Sequence, residues 1–330
     1  MEKKGVMERK KQNGMVSICG FCYGNSEFII EAIQSTLRCE YTLLEIIITD
    51  DGSEDPIHRD RLRKFAESLN WPVTLLLHES NAGLVARYNE ALMSSSGEFL
   101  FGTGDDIHEE GAIDVYVDCL VRNQQADAVF AIAQWYDEPC KSPQAKFFGH
   151  LGEGGAYPKL KTGEWLFNQL MKRNWLSAPA SMWRCSSLLK DGGYDTQFSF
   201  EDWPMLLKVA KRPGTQFIFL ADILLRYRRM DTGTARRSEA KKKWAETLWL
   251  EVFLCRLYYG DRRHWVHRSG LFREMMGSWE KGKDKRKKMI RHPLVKSWFP
   301  LSRFALLREN RTLLFVGLCV ARLERELLKG

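Results

Sequence analysis

The first side chains suited to chemistry are Asp50 and Asp51, two carboxylates at the end of an apolar run. They belong to the segment Glu45–Asp55, which predicts a strand buried on both faces and then a glycine turn. A carboxylate at a strand end can accept hydrogen bonds from a nucleobase imide or a ribose hydroxyl. The alternative is a turn in which Ser53 or Asp55 caps the following helix. The segment by itself favours neither interpretation.

A second pair of carboxylates, Asp105 and Asp106, follows two glycines in the segment Gly102–Ile107. The repulsion between adjacent carboxylates is costly unless a cation lies beside them. Mg²⁺ or Mn²⁺, held by one or two carboxylates and by phosphate oxygens of a substrate, fits this pattern. An ordinary surface turn is the competing interpretation.

The third pair, Glu201 and Asp202, lies in the aromatic segment Phe200–Pro204, shortly after Gly192–Asp195. Partial desolvation by aromatic neighbours would raise the pKa of a carboxylate toward the range useful for a general base. The same residues are typical of a helix N-terminus, where the dipole favours acids and Pro204 suits an early position. The two interpretations are compatible.

The three pairs match three requirements of a reaction on a nucleotide-activated sugar. Such a reaction needs a site for the base, neutralisation of a diphosphate leaving group, and a base for the acceptor hydroxyl. Each motif is weak alone, but their order along the chain is far more specific.

Alternating strands and helices predict an α/β fold, a doubly wound and mostly parallel sheet with helices on both faces. Ligands of such sheets bind beyond the carboxyl ends of the strands. Polar clusters fall at these ends, with Tyr23 after the first strand, Asp50 after the second, Asn81–Arg87 after the third and Asp105 after the fourth. Residues 134–180 predict an irregular excursion over the site.

The composition predicts three parts: a polar lead-in at 1–14, the α/β domain at 15–235, and a basic helical C-terminal region at 236–330. From Ala240 to Gly330 there are 22 Lys and Arg against 9 Asp and Glu, a balance of +13, whereas the rest of the chain has a balance of −5. This asymmetry predicts an anionic partner for the C-terminal region.

Residues 262–311 interleave cationic and aromatic side chains, which suits an anionic membrane surface. A helical extension packed on the domain, or a dimer interface, is the alternative. Specific nucleic-acid binding is disfavoured because no recognition motif is present. Eight cysteines behind the polar, basic segment Met1–Lys11 predict reduced thiols and a cytoplasmic location. In the membrane hypothesis the protein is peripheral on the inner face of the cell membrane.

Taken together, the motifs resemble the inverting family 2 glycosyltransferases with a GT-A fold, of the bacterial cell-surface polysaccharide type. The resemblance covers about two-thirds of the chain, from Met15 to Thr234. The matching segments are Val16–Ile33, Glu45–Ser53, Asn81–Asn89, Gly104–Ile107 and Glu201–Trp203. A dinucleotide-binding fold of the NAD type is disfavoured because no G-x-G-x-x-G follows the first strand.

For the donor, the resemblance implies that Tyr23 packs on the nucleobase and that Asp50, beside Asp51, binds it. Arg87 would support the base site or the diphosphate. Gly104 and Asp105 would contact the nucleotide sugar. Asp105 would also be the principal ligand of Mg²⁺ or Mn²⁺, with Asp106 next to it.

For the acceptor, the resemblance implies that Asp202 is the general base on the attacking hydroxyl and that Glu201 orients the base or the acceptor. Trp183 and Trp203 are expected to line the acceptor site, because aromatic faces stack on sugar rings. Core packing is the alternative for any single tryptophan. His108, near the metal loop, is expected to be a solvated loop residue.

The implied reaction inverts configuration and moves a hexosyl or N-acetylhexosaminyl group, from a UDP-sugar by preference, to a saccharide or lipid-linked acceptor in cell-surface polysaccharide synthesis. Two departures from the family pattern bear on the metal. Thr103 stands where a further Asp is usual, and Met230 where many relatives have a His. A catalytically weak or inactive relative, which binds nucleotide sugar or scaffolds an assembly, is the alternative.

Overall fold

The structure is a computed structural model that describes residues 11–137, 139–149, 158–171 and 174–229. The chain divides into two units between Gly233 and Thr234, and all of these residues lie in the first. The predicted basic region at 236–330, its proposed membrane surface at 262–311, Met230 and the predicted boundary at 235 therefore fall outside the described residues.

Ten strands and seven helices make up the described residues. The strands are β1 Gln12–Cys22, β2 Leu44–Asp50, β3 Val73–Leu77, β4 Gly97–Thr103, β5 Ile107–His108, β6 Ala128–Tyr136, β7 Pro143–Phe148, β8 Lys159–Thr162, β9 Ser181–Arg184 and β10 Gln216–Arg228. The helices are α1 Ser26–Thr36, α2 Pro56–Glu67, α3 Leu84–Ser94, α4 Ala112–Arg122, α5 Gly163–Leu170, α6 Cys185–Leu189 and α7 Asp202–Ala210. A short 3₁₀ turn covers Ala178–Ala180. None of the helices described is long and apolar enough to cross a membrane.

One sheet contains all ten strands, with the main order β3-β2-β1-β4-β9-β6-β10-β5. The neighbours β3, β2, β1 and β4 run parallel, as do β6 and β10. Strand β9 lies antiparallel between β4 and β6, and the short strands β5, β7 and β8 are also antiparallel to their neighbours. The predicted α/β fold with a mostly parallel central sheet is confirmed.

Two expectations about local structure need correction. Strand β1 begins at Gln12 rather than Met15, because Gln12 already pairs with Gly97 of β4. The described residues between 134 and 180 are more regular than expected, since they contain the end of β6, strands β7 and β8, and helix α5. Helix α5 begins where the Thr162 hydroxyl accepts a hydrogen bond from the Trp165 amide at 3.3 Å.

The core lies on both faces of the central strands. Every residue of β2 is buried, as its β-branched run predicts. On one face Ile46 and Ile48 pack with Ile29 and Ile33 of α1. Complete burial of one such side chain stabilises the fold by about 1.5–3 kcal/mol. This packing fixes the positions of the strands. It therefore also fixes the positions of the polar residues at the strand ends.

The parallel strands end at one edge of the sheet. Asp50 of β2 pairs in register with Cys22 of β1 and with Leu77 of β3, and Thr103 of β4 pairs with Gly20. The loops that follow these strands carry the first two acidic motifs. The sheet therefore brings them to the edge where ligands of such folds bind.

The turn after β2 requires a glycine at position 52. Gly52 has φ of +75°, and a Cβ atom there would lie 2.5 Å from the Ser80 carbonyl carbon in the loop after β3. Both the positive φ and the close approach of two backbones exclude larger residues. These two loops can meet only because residue 52 has no side chain.

Gly52→Ala should lower the free energy of unfolding by about 2 kcal/mol or more, because strain and steric overlap act together. Urea unfolding at neutral pH measures this change. Gly104→Ala is the matched control, since a Cβ there meets nothing within 4 Å. The control should stay within about 0.5 kcal/mol of the parent. Equal stabilities of the two variants would contradict the analysis.

Candidate active site

The Asp50 carboxylate is completely buried and faces Ser53. The Ser53 amide donates to it at 3.0 Å, and the Ser53 hydroxyl donates to its other oxygen. The same hydroxyl accepts a hydrogen bond from the Gly24 amide at 2.8 Å. Ser53 therefore ties the loop after β1 to Asp50. A nucleobase could contact Asp50 only after displacing part of this network, so its role in base binding stays a prediction.

Tyr23 presents an exposed ring at the end of β1, with 53% of its surface accessible. Its amide donates to the Asn25 side chain at 2.9 Å, which fixes the turn into α1. An exposed aromatic face beside Asp50 has the form that a stacking site for a base requires. The predicted role of Tyr23 is compatible with this position and remains a prediction.

Asp51 holds the loop between β3 and α3. Its two oxygens accept hydrogen bonds from the amides of Ala82 and Gly83 at 2.8 and 2.9 Å, and Arg87 Nε donates to it at 2.7 Å. Arg87 also donates to the Ser80 carbonyl at 3.0 Å. The arginine is thus buried and paired. Its geometry fits support of the base site better than direct contact with a diphosphate.

Asn89 of α3 connects the donor side of the edge to the third acidic motif. Its side chain accepts a hydrogen bond from the Tyr194 amide at 2.7 Å and donates to the Tyr194 carbonyl at 2.9 Å. Gly193 makes the approach possible, because a Cβ atom there would lie 2.4 Å from the Asn89 oxygen. This clamp fixes the turn that precedes Glu201. The motifs contain both residues but give no sign that they meet.

Asp106 is buried in the loop after β4 and is fixed by strand β10. The amide of Arg228 donates to an Asp106 oxygen at 2.7 Å, and Arg228 Nε donates to the Asp105 carbonyl at 2.5 Å. Burial raises the pKa of Asp105. Burial and then repulsion from Asp105 raise the pKa of Asp106 to about 8. A cation beside the pair would favour its charged form.

A cage of three or more His, Cys, Asp or Glu side chains suited to a metal ion is absent from the part of the chain that the structure describes. Mg²⁺ and similar ions need no such cage, since one or two carboxylates and substrate phosphates suffice. Asp105 supplies one carboxylate, while Asp106 has one oxygen bound to the Arg228 amide. The residues fit a cation that is held jointly with a diphosphate.

Thr103 does not act as a metal ligand in place of the Asp that is usual at this position in the family. It is buried, and its hydroxyl lies 3.2 Å from His108 Nε2. The expectation that His108 is a solvated loop residue is wrong, because His108 belongs to β5 and pairs with Leu225 of β10. Burial and then the charge of Arg38 lower the pKa of His108 to about 3, so its ring is neutral. Thr103 and His108 are thus buried beneath the metal loop.

Glu201 and Asp202 lie at the start of α7, in the setting expected of the third motif. Asp202 accepts hydrogen bonds from the Trp203 amide at 2.6 Å and from the Asn174 side chain at 2.9 Å. Burial raises the pKa of Asp202. Burial and then the charge of Asp202 raise the pKa of Glu201 to about 8. Asn174, which no sequence pattern indicated, orients the carboxylate that is expected to act as base.

Behind this pair lies a narrow cavity lined by aromatic side chains, among them Tyr88, Tyr194 and Trp183. Tyr88 stacks on Phe21 with ring centroids 3.9 Å apart. The cavity offers about 30 Å³, which is room for a water molecule and not for a sugar ring. A sugar ring therefore does not fit into this cavity.

The prediction that Trp183 lines an acceptor site needs correction. Its indole is buried, packs against Phe130 and Phe217 at 5.6 and 5.9 Å between ring centroids, and donates to the Ser181 hydroxyl at 3.1 Å. Little of the ring remains for a sugar, so Trp183 is a core residue. Trp203 is half-buried, and its ring N–H donates to the Leu170 carbonyl at 3.2 Å. Its role toward the acceptor stays a prediction.

Tyr227 of β10 joins the site although no motif singled it out for this. Burial raises the pKa of Tyr227 to about 12, and the charges of Asp106, Asp105 and Asp202 add to the effect. Its hydroxyl therefore lies within electrostatic reach of both the metal loop and the predicted base. The alternation of side chains along β10 places Tyr227 on the face of the site. This face can be identified only when the pairing of β10 with its neighbours is known.

The fold is the GT-A fold of glycosyltransferases of known structure. A mannosyltransferase from Pyrobaculum calidifontis, solved with GDP-Man and Mn²⁺, superposes with a TM-score of 0.55 at 16% identity, over 97% of this chain and 88% of its own. The model of glycosyl transferase family 2 matches residues 17–187. Because that is just over half of the chain, the chain belongs to this family. The predicted family and enzyme class are confirmed.

Two bacterial proteins are similar in sequence. One is the putative colanic acid biosynthesis glycosyl transferase WcaA of Escherichia coli K12, 34% identical over 97 residues, which are 29% of this chain and 34% of WcaA. The other is an E. coli β-1,3-galactosyltransferase named for UDP-Gal and α-D-GlcNAc-diphosphoundecaprenol, 23% identical over 55% of this chain and 62% of its own. The chain thus spans about a third of WcaA and under two-thirds of the galactosyltransferase.

Asn89→Ala should lower the free energy of unfolding by about 1–3 kcal/mol, because it leaves the Tyr194 amide and carbonyl without their partner. Urea unfolding followed by fluorescence measures the change. Asn123→Ala is the matched control, since the Asn123 side chain makes one local hydrogen bond, to the Cys119 carbonyl. The control should lower the free energy of unfolding by less than Asn89→Ala does. An equal or larger loss in the control would show that the clamp is not a long-range constraint.

Proposed function

We propose that this chain is an inverting transferase that moves a sugar from a nucleoside diphosphate donor, a UDP-sugar by preference, to a hydroxyl of a saccharide or lipid-linked acceptor. The observation that carries the proposal is the half-buried pair Glu201 and Asp202, in which Asn174 and the Trp203 amide orient Asp202. The charges of Asp106, Asp105 and Asp202 all help to raise the pKa of Tyr227, which supports a position of the proposed base near the loop at Asp105.

In the proposed reaction Asp202 removes the proton of the acceptor hydroxyl. The acceptor oxygen attacks the anomeric carbon from the side opposite the diphosphate, and the bond from that carbon to the diphosphate oxygen breaks. One displacement inverts the configuration, and the nucleoside diphosphate leaves with the electron pair. Glu201 orients the base or the acceptor. Burial supports this role for Asp202, because a base with a raised pKa holds a proton more strongly.

On the donor side, Tyr23 stacks on the base and Asp50 accepts its hydrogen bond after local rearrangement of Ser53. Asp51 and Arg87 act indirectly by fixing the loop before α3. Gly104 has open space around it, so a diphosphate can approach the backbone beside Asp105. The galactosyltransferase relative is named for a UDP-sugar, which supports uridine as the base.

For the metal, Asp105 is proposed as the principal protein ligand of Mg²⁺ or Mn²⁺, with Asp106 as a second acidic group. When bound, such an ion supplies positive charge that stabilises the departing diphosphate. The raised pKa of Asp106 supports a site made to hold a cation, and the mannosyltransferase of the same fold was solved with Mn²⁺.

The biological setting is proposed to be synthesis of a cell-surface polysaccharide. WcaA is named for colanic acid biosynthesis, and the galactosyltransferase is named for a lipid-linked acceptor. A cytoplasmic enzyme attached to the inner face of the membrane through 262–311 would meet such an acceptor. That segment lies outside the described residues, and its charge alone supports the idea.

Asp202→Asn should reduce sugar transfer by about a hundredfold or more while donor affinity stays within about twofold, because the amide keeps the shape but cannot take a proton. Product formation and donor calorimetry measure the two quantities. Asp222→Asn, which changes an exposed carboxylate, is the control and should leave both unchanged. Full transfer by the Asp202 variant would refute the proposed base, and no transfer by the parent with any donor would favour a non-catalytic relative.

The pH profile follows from the raised pKa values of the acidic pair. The base works only when deprotonated, so kcat/KM should fall as pH falls through the raised pKa, well above the ordinary Asp value of about 3.9. Burial is the largest cause of the raised pKa of Asp202, so Glu201→Gln should leave this acid limb near its position in the parent protein. Rates measured from about pH 3 to pH 9 test both statements. A limb near pH 4 in the parent protein would contradict the proposed environment.

A further inference from the structure

Two cations lie on one tryptophan at the same edge of the sheet, and the proposed mechanism does not use them. The Arg229 guanidinium lies 4.3 Å from the ring centroid of Trp135, and Lys146 Nζ lies 4.9 Å from it. Both distances are within the range of favourable cation–π contact. We call Trp135, Lys146 and Arg229 the cation platform.

The alternation of side chains along β10 places Arg229 on the side of the reacting groups. Arg228 points to the other face, where its guanidinium lies 4.7 Å from the Phe28 ring and pairs with Glu31 at 2.6 Å. Tyr227 and Arg229 share the opposite face, because successive side chains alternate. Trp135 is the register partner of Tyr227, and their rings stack with centroids 6.2 Å apart.

The charges of the acidic groups act on Tyr227, which lies on the same face. After burial, the carboxylates of Asp106, Asp105 and Asp202 are the largest influences on the Tyr227 hydroxyl, and Arg229 acts on it in the opposite sense. The Arg228 amide, one residue before Arg229, is hydrogen-bonded to Asp106. The cation platform is therefore close to the loop that is proposed to meet the diphosphate.

The charge of a bound diphosphate indicates a role for these cations. A nucleoside diphosphate brings about two negative charges to an edge that already holds three pairs of carboxylates. Arg87 and Arg228, which also lie near the edge, pair with the carboxylates of Asp51 and Glu31. Thr103 adds no ligand for a compensating metal ion, because it faces His108. The edge needs further positive charge when the donor binds.

We propose that Arg229 and Lys146, held on the face of Trp135, bind the diphosphate of the donor and share the stabilisation of the leaving group with a cation at Asp105. A guanidinium is planar and weakly hydrated, so it can contact two phosphate oxygens at once. The ammonium of Lys146 is exposed and acts as a point charge. This inference rests on the proposed function, since it assigns further residues to the same donor site.

The test is calorimetric binding of UDP and of GDP, each with EDTA or with Mn²⁺, to the full-length protein. Arg229→Ala should weaken binding of the nucleoside diphosphate by about tenfold in EDTA, and Arg229→Lys should restore part of it. Lys146→Ala should weaken it by a smaller factor. The losses should shrink with Mn²⁺, because the ion then carries part of the charge. Affinity for the parent nucleoside, which lacks phosphates, should not change.

Lys161→Ala is the matched control, because Lys161 Nζ also lies on a tryptophan ring, 4.7 Å from the centroid of Trp165. It should leave nucleotide binding unchanged, and thermal melting checks that each variant is folded. Unchanged UDP and GDP affinity in folded Arg229→Ala protein, or no binding of either nucleotide to the parent, would overturn the inference. A rise in acceptor KM alone would assign the platform to the acceptor and overturn it as well.

The outcomes separate this inference from the proposed function. Loss of transfer in Asp202→Asn together with unchanged nucleotide binding in Arg229→Ala would refute only the role of the cation platform. Weaker nucleotide binding in Arg229→Ala, with no transfer by the parent protein, would retain the diphosphate site and refute the transferase.

Discussion

A carboxylate buried at the edge of the sheet needs several hydrogen-bond donors, because removing its charge from water is otherwise very costly. Asp51 meets this requirement with the amides of Ala82 and Gly83 and with Arg87. Those donors come from the loop after β3 and from the first turn of α3, so the loop must close over the end of β2. The absence of a side chain at Gly52 permits this closure. The shape of the donor side thus follows from the need to pair one charge.

The same constraint recurs across the edge and joins segments that are far apart in sequence. The Arg228 amide binds Asp106 across 122 residues, and Asn89 binds Tyr194 across 105. Asp202 takes its donors from Asn174 and from its own helix. Asp106 and Asp202 are therefore each positioned by a hydrogen bond from another segment of the chain. Such preorganisation is what a single displacement with a developing negative charge requires.

Much of this arrangement could be predicted from the sequence, because it depends on local pattern. The buried strand β2, the alternation of strands and helices, and the position of the acidic pairs beyond strand ends all follow from periodicity and turn residues. The failures concern packing between distant segments. His108 is buried because β5 pairs with β10, and Trp183 is a core residue because β9 lies between β4 and β6. A two-residue or four-residue strand carries too little pattern to reveal such pairing.

Strand β10 ends in a residue that serves two layers of the fold at once. The backbone of Arg228 holds Asp106, and its side chain contacts Phe28 and Glu31 of helix α1. Segments on either side of Arg228 therefore cannot be exchanged independently between relatives. A chimaera that takes β10 from one protein and helix α1 from another must match residues 28, 31 and 228 together. The three positions must therefore be exchanged together, although 197 residues separate Glu31 from Arg228.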